Sequence, residues 1–186
     1  MPTRKIQVKL YFVASERPPL ERFVPVLHTI LRDDALGELM IDVVDYGHVH
    51  HGPGVVLIGH ATDYGIDLGE GRPGVLVFRK REPVTGDRIA DALGRALRFA
   101  ALLARVPELG SALRTDEVLI RLPDRLHAPS TDAGFERLTA ELSALGQRLY
   151  DAPVALERAS SPRQPLSVRW RAPSSPTVEE LLARLP

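Results

Sequence analysis

The stretch from Asp45 to Glu70, DYGHVHHGPGVVLIGHATDYGIDLGE, holds four of the six histidines of this 186-residue chain, with Asp45, Asp63, Tyr46 and Tyr64 beside them. Imidazole is the commonest protein metal ligand, and neighbouring carboxylates or phenols fix its tautomer. If Gly52-Pro53-Gly54 is the turn of a hairpin, His51 pairs with Val55, His48 with Ile58 and Tyr46 with His60, and opposed residues share a face. Tyr46, His48, His50, Ile58 and His60 then cluster, with His48 and His60 as diagonal neighbours. The expectation is a small-ligand or divalent-metal site on the 45–64 hairpin. Tyr46, His48, His60 and Tyr64 would line it, and His48, His60 and Asp45 would hold a metal such as zinc. A one-residue change in the turn sends half of this set to the other side of the sheet.

Other chemistries find less support. H-x-H-H is not the helical H-E-x-x-H of metalloproteases. The run LIGHAT is not followed by G-x-S-x-G, so a serine hydrolase elbow is missing. Gly69 to Gly74 has the glycine content of a phosphate loop, but no Lys-Ser/Thr follows and the next segment reads as a strand. Asp33-Asp34 and Glu179-Glu180 are sequence neighbours, whose side chains diverge on a helix or strand. An enzyme using His48 or His60 as acid–base would need a nucleophile or metal that the sequence does not locate, so catalysis is left unassigned.

The pattern Asp45, Tyr46, His48, Val49, Gly52-Pro53-Gly54-Val55, Leu57 to His60 and Tyr64 resembles the core of a family of bacterial proteins of unassigned activity, DYxHVxxGPGVxLIGHxxxY. The resemblance implies no fold or cofactor. It favours His48 and His60 over His50 and His51, because those two fall on the shared pattern.

Composition narrows the class. Twenty-four basic residues balance twenty-four acidic ones, and 44% of residues are hydrophobic. That balance gives no electrostatic case for nucleic acid or an anionic membrane. There is no cysteine, which removes disulfides, thiolate metal sites and cysteine nucleophiles. No apolar run approaches the ~20 residues of a membrane span, and the N-terminus enters an alternating strand directly. A soluble, cytoplasmic protein is expected.

The elements that would position the histidines follow from periodicity. Ile6, Val8, Leu10 and Phe12 alternate with Gln7, Lys9 and Tyr11, a strand with one buried face. Leu20, Phe23, Val24, Leu27, Ile30 and Leu31 mark a helix, kinked at Pro25 or starting near Val24. Residues 39–46, 55–60, 74–78, 117–122, 154–157 and 166–171 read as further strands. VVLIGH is apolar throughout, so burial on both faces is expected. Residues 61–73, rich in Gly and Asp, read as irregular. Helices are expected from a Thr85 cap to about Arg105, and from a Ser130 or Thr131 cap through Leu149.

The expected fold class is α/β (α+β): a mixed twisted sheet of about six or seven strands, helices mainly on one face, with a βαββ layout echoed in the two halves. Residues 1–172 would form a single domain, and 173–186 a flexible connector with a short helix or tail. Besides the ligand-binding reading, the sequence supports a non-catalytic structural or interaction protein. That protein would be a homodimer joined by a sheet edge or the wet sheet face, with Trp170, Tyr11 and nearby arginines in the contact.

Overall fold

The computed structural model describes residues 5–14, 16, 18–49, 52–80, 87–109 and 112–186. In chain order they form β1 (Ile6–Phe12), α1 (Phe23–Arg32), β2 (Met40–Asp45), β3 (Val55–Gly59), β4 (Thr62–Asp67), β5 (Gly74–Arg79), α2 (Arg88–Ala104), β6 (Leu113–Leu122), α3 (Asp132–Tyr150), β7 (Ala155–Arg158), β8 (Leu166–Arg171) and α4 (Val178–Arg184). The eight strands make one open sheet in the order β2-β3-β4-β5-β1-β6-β8-β7.

Every neighbouring pair is antiparallel, so the expected mixed sheet is corrected. The two helical crossovers, β1 to β2 and β6 to β7, do join strands running the same way. Other strands fill the positions between them. The two βαββ units are recognisable in this layout, running outward in opposite senses from the β1–β6 pair. They differ because the β4–β5 hairpin is inserted between β3 and β1, whereas β8 lies directly on β6.

The strand absent from the sequence reading is β4. Its inward residues Thr62, Tyr64 and Ile66 are buried, but its outward residues are Asp63, Gly65 and Asp67, all poor strand formers. Pairing on both sides, with β3 and β5, overrides that local preference.

The helices pack on one face only: α1 on β2 and β3, α2 on β5 and β1, α3 on β8 and β7, with α4 against α2 and α3. The core lies between. From the sheet it takes Ile6, Val8 and Leu10, Val55 and Leu57, Val75 and Val77, Val118 and Ile120, and Val168 and Trp170. α1 begins at Phe23, close to the start near Val24 that is one of the two expectations, which places Pro25 in its first turn, where proline is tolerated. The N-cap of α2 is Asp87, which accepts from the Ile89 and Ala90 amides at 3.0 Å. Thr85, expected in that role, lies outside the described residues. Thr131 caps α3 through the Gly134 amide at 3.1 Å.

The C-terminal segment is part of this packing and not a tail. Thr177 and Glu180 form a reciprocal capping box at the start of α4. Leu181 is 2% exposed within the core, and Arg184 donates to the Leu149 carbonyl at 2.6 Å, satisfying the end of α3. Truncating a buried leucine costs the transfer energy of its methyls plus the cavity left behind. Leu181→Ala is therefore expected to lower unfolding stability by about 2–3 kcal/mol, read by urea denaturation. A change within error would mean that α4 contributes nothing to the core.

Candidate functional site

The hairpin that carries the histidines has a different register from the one a tight Gly-Pro-Gly turn would give. Asp45 opposes Val55, Val44 opposes Val56 and Asp42 opposes Ile58. The Tyr46 amide donates to the Gly54 carbonyl at 2.7 Å, and the His60 amide to the Leu39 carbonyl at 2.9 Å. The turn between these strands is marked by the Val49 amide on the Tyr46 carbonyl and the Gly52 amide on the Val49 carbonyl, 2.9 and 3.0 Å. Gly54 ends it at a φ of +75°, where a Cβ would lie 2.0 Å from the Ile66 carbonyl oxygen. Only glycine fits that approach.

This register separates the predicted pair. His60 is level with Leu39 at one end of the β2–β3 ladder, and His48 lies beyond Asp45 at the other. At about 3.3 Å per strand residue, the separation is on the order of 20 Å, far beyond the reach of one ion with ligands at ~2 Å. Both histidines are exposed. Among the described residues no group of three or more His, Asp or Glu could hold a metal ion. The metal set His48, His60 and Asp45 is thereby corrected. Asp45 and His48 do share a shallow hollow with Pro18, Pro19, Leu20, Glu21 and Gly47, where Asp45 accepts from the Gly47 amide at 2.7 Å. His50 and His51 lie outside the described residues.

Tyr64 is displaced from the predicted site too. Its ring lies on the helix-covered face, edge-to-face with Phe99 at 5.2 Å between centroids. Its hydroxyl donates to Glu38, which also accepts from Arg95 at 2.6 Å. Burial, reinforced by the Glu38 carboxylate, raises the phenol well above its ordinary value, so Tyr64 is a neutral core donor.

What the hairpin does build lies on the face the helices leave bare. Val56 and Ile58 on β3 and Leu76 and Phe78 on β5 point away from the helices and are only partly buried. The expectation that β3 is buried on both faces is corrected here: among the described residues the second apolar face has no covering layer. Between these pairs β4 carries Gly65, opposite Val56 and Leu76. The missing side chain leaves a groove of about 440 Å³, walled by Tyr46 and Pro53 and bordered by Gln7, Asp63 and Lys80. A strand glycine commonly marks a close approach by a ligand or another backbone. Of the four predicted ligand residues, Tyr46 and Tyr64 both border this groove, Tyr64 with its ring turned to the helix-covered face. Sequence reasoning missed the apolar floor, although VVLIG and GVLVF, apolar on both faces, carried the signal.

The other half of this face is covered by charge. The segment 68–73 between β4 and β5 folds back over β1. Lys9, 1% exposed, donates all three N–H groups, to Asp67 at 2.5 Å, the Gly69 carbonyl at 2.8 Å and Glu70 at 3.0 Å. Glu70 also accepts from Arg121 at 2.5 Å. It holds these two cations from a left-handed backbone, φ 59°, a conformation that L-residues other than Asn, Asp and Gly seldom adopt. Burial pushes the Glu70 carboxyl up, but Lys9 and Arg121 outweigh it and hold the group below the usual carboxylate range. Arg72 lies 3.8 Å over the Tyr11 ring and grips Glu117 with two bonds of 2.8 and 2.9 Å. Arg169 and Arg171 approach the same carboxylate at 3.4 and 3.7 Å.

The chain matches no protein-family model, and none of the curated proteins is detectably similar to it in sequence. No helix among the described residues is long and apolar enough to cross a membrane.

Arg72, by its paired hydrogen bonds, holds the Glu117 carboxyl below its ordinary value despite burial, with Arg171 and Arg114 adding to the effect. A carboxyl whose folded pKa is depressed stabilises the fold fully above its unfolded value, about 4.3, and loses that contribution as pH falls through the folded value. Glu117→Gln is expected to cost about 2 kcal/mol at pH 7. That is less than for a fully buried pair, because the Arg72 side chain keeps 35% of its surface in water. The deficit should narrow steadily below about pH 4, read from urea midpoints at pH 7 and pH 3. A deficit independent of pH would contradict the ionic role.

Proposed function

We propose that the protein is a binding module that takes a small, largely apolar molecule in the groove over Gly65. One observation carries this reading. Strands apolar on both faces stand in a sheet covered on one face, and the bare side chains surround a hollow and not a flat patch. Val56, Ile58, Leu76 and Phe78 would supply the apolar contact. Tyr46 and Pro53 would form one wall, and the segment with Asp67 and Leu68 is the start of the strap over β1. Small-molecule sites are usually concave, mostly apolar and edged by a few placed polar groups. The proposal assigns no reaction and no metal.

The geometry does not favour edge-to-edge assembly. The outer strand β2 bulges between Met40 and Asp42, and the Val43 amide is occupied at 2.8 Å by the Asp42 carboxylate. Both are devices that blunt an edge. The other edge, β7, has only four residues. Trp170 and Tyr11, expected in a dimer contact, are 0% and 1% exposed and have no surface to offer one. A second reading rests on exposed Leu39 and Ile41, 70% and 60% accessible, at the β2 margin of the sheet. They would extend the apolar surface for a second copy joined through the bare face.

Filling the hollow separates the two. Gly65→Val places methyl groups over the groove floor. Its Cβ would sit 3.2 Å from the Val55 carbonyl oxygen, a tight contact that a small strand adjustment relieves. Saturable binding of the neutral dye Nile red to the parent chain is expected to weaken by at least about ten-fold in Gly65→Val, and similarly in Leu76→Asp, with unchanged circular dichroism. Equal dye affinity in all three proteins would end the proposal. A concentration-dependent dimer in light scattering, dissolved by Ile41→Asp, would favour the second reading.

A further inference from the structure

The polar end of the groove indicates what kind of molecule it would take, and this step rests on the groove reading above. Lys80 and Asp63 border the groove beside the apolar floor. The Lys80 ammonium donates to Asp63 Oδ1 at 2.6 Å and to the Gly59 carbonyl at 2.8 Å, and the same Oδ1 accepts from the Gly59 amide at 3.1 Å. An ammonium has three N–H groups and a carboxylate has two oxygens. These bonds leave one N–H on Lys80 and the second oxygen of Asp63. Each side chain is 21% exposed, so the remaining donor and acceptor stand together in partly desolvated surroundings, on a pair with no net charge. The Lys9 cluster offers nothing comparable, because its three N–H groups are all used. Gln7, the other polar side chain at this border, accepts from Arg121 through its amide oxygen at 3.2 Å. That leaves its NH2 as a further donor.

We infer that the groove binds an uncharged organic molecule with an apolar body and an amide-type edge, such as a carboxamide or lactam. Its carbonyl accepts from Lys80 and its N–H donates to Asp63 Oδ2. A carboxylate of the same shape would meet Lys80 but place a second negative charge against Asp63. An ester would leave Asp63 Oδ2 stripped of water and unpaired. Loss of a matched buried polar contact discriminates more strongly than a change of apolar size.

The test uses the full-length, 15N-labelled chain and three probes sharing one ring system: naphthalene-2-carboxamide, 2-naphthoate and methyl 2-naphthoate. Shifts of the Gly65 and Leu76 amides report occupancy. The carboxamide is expected to bind at least about ten-fold more tightly than the other two. Asp63→Asn keeps an acceptor for Lys80 and the Gly59 amide but turns the second oxygen into a donor, so the order should reverse in favour of the carboxylate. Lys80→Met should weaken the carboxamide by removing its donor, yet leave the carboxylate the poorest of the three probes, because Asp63 keeps its charge without a counter-ion. Three equal affinities on the parent chain, or tightest binding of the carboxylate, would overturn this inference and leave the groove reading standing, since the Gly65 amide would still report a bound ring. No shift at Gly65 with any probe, up to the solubility limit, would overturn both.

Discussion

The structure turns on one constraint: four helices cover a single face of an eight-stranded sheet, and the other face has to be made compatible with water by its own side chains. An antiparallel sheet normally manages this by alternating apolar inward residues with polar outward ones. β1, β6 and β8 keep mostly to the rule, with Lys9, Arg121 and Arg169 outward, and the outward Tyr11 and Leu119 among them are buried. β3 and β5 break it with Val56, Ile58, Leu76 and Phe78. The two halves of the bare face are therefore handled by different physics.

On the charged half, the loop leaving β4 closes over β1. Burying Lys9 would be prohibitive alone, because an ammonium taken out of water loses its hydration. Three acceptors at 2.5, 2.8 and 3.0 Å replace that hydration, and Glu70 adopts a disfavoured backbone to supply one of them. Its two carboxylate oxygens then join Lys9 and Arg121, so one strained residue serves two cations. Arg72 continues the strap by stacking on Tyr11 and by its fork on Glu117, a geometry that lysine could not reproduce. On the apolar half the described residues form no such strap, and the hollow over Gly65 remains.

Much of the architecture was legible in the sequence, where period-two and period-three-to-four patterns were strong. The strand of Ile6 to Phe12, the helix face through Leu138, Leu142, Leu145 and Leu149, and the cap at Thr131 all lie where periodicity and capping chemistry put them. The strand of Thr62 to Asp67 was hidden because its outward positions hold Asp, Gly and Asp, residues that signal loops when read one at a time. The hairpin register was hidden for another reason. A tight Gly-Pro-Gly turn and a wider loop from His48 to Gly54 both fitted the sequence, whereas the ladder closes at Asp45 and Val55, so the tight-turn register does not hold. That six-residue shift in pairing sum is what carries His60 to the far end of the ladder from His48. Histidine density thus drew attention to a hairpin whose described histidines, His48 and His60, lie at opposite ends of the ladder. The more informative signal was plainer: two apolar-on-both-faces strands in a chain whose helices suffice to cover one face.

Strand β4 links the fold to the groove. Its inward residues, Thr62, Tyr64 and Ile66, lock it to the core, with Tyr64 fixed by Glu38 and packed on Phe99. Its outward residues divide the bare face between them. Asp63 holds Lys80 at one end, Asp67 holds Lys9 at the other, and Gly65 leaves the space between. A one-residue slip would turn Tyr64 outward and drive both aspartates into the core, so the register is strongly specified. The same specification sets the spacing between the two ion pairs at four residues of extended chain, about 13 Å. The hollow therefore lies along the strand between two ion pairs that the core register places there, Asp63 and Lys80 at its border and Asp67 with Lys9 further on, and the strand least recognisable as a strand is the one that defines it.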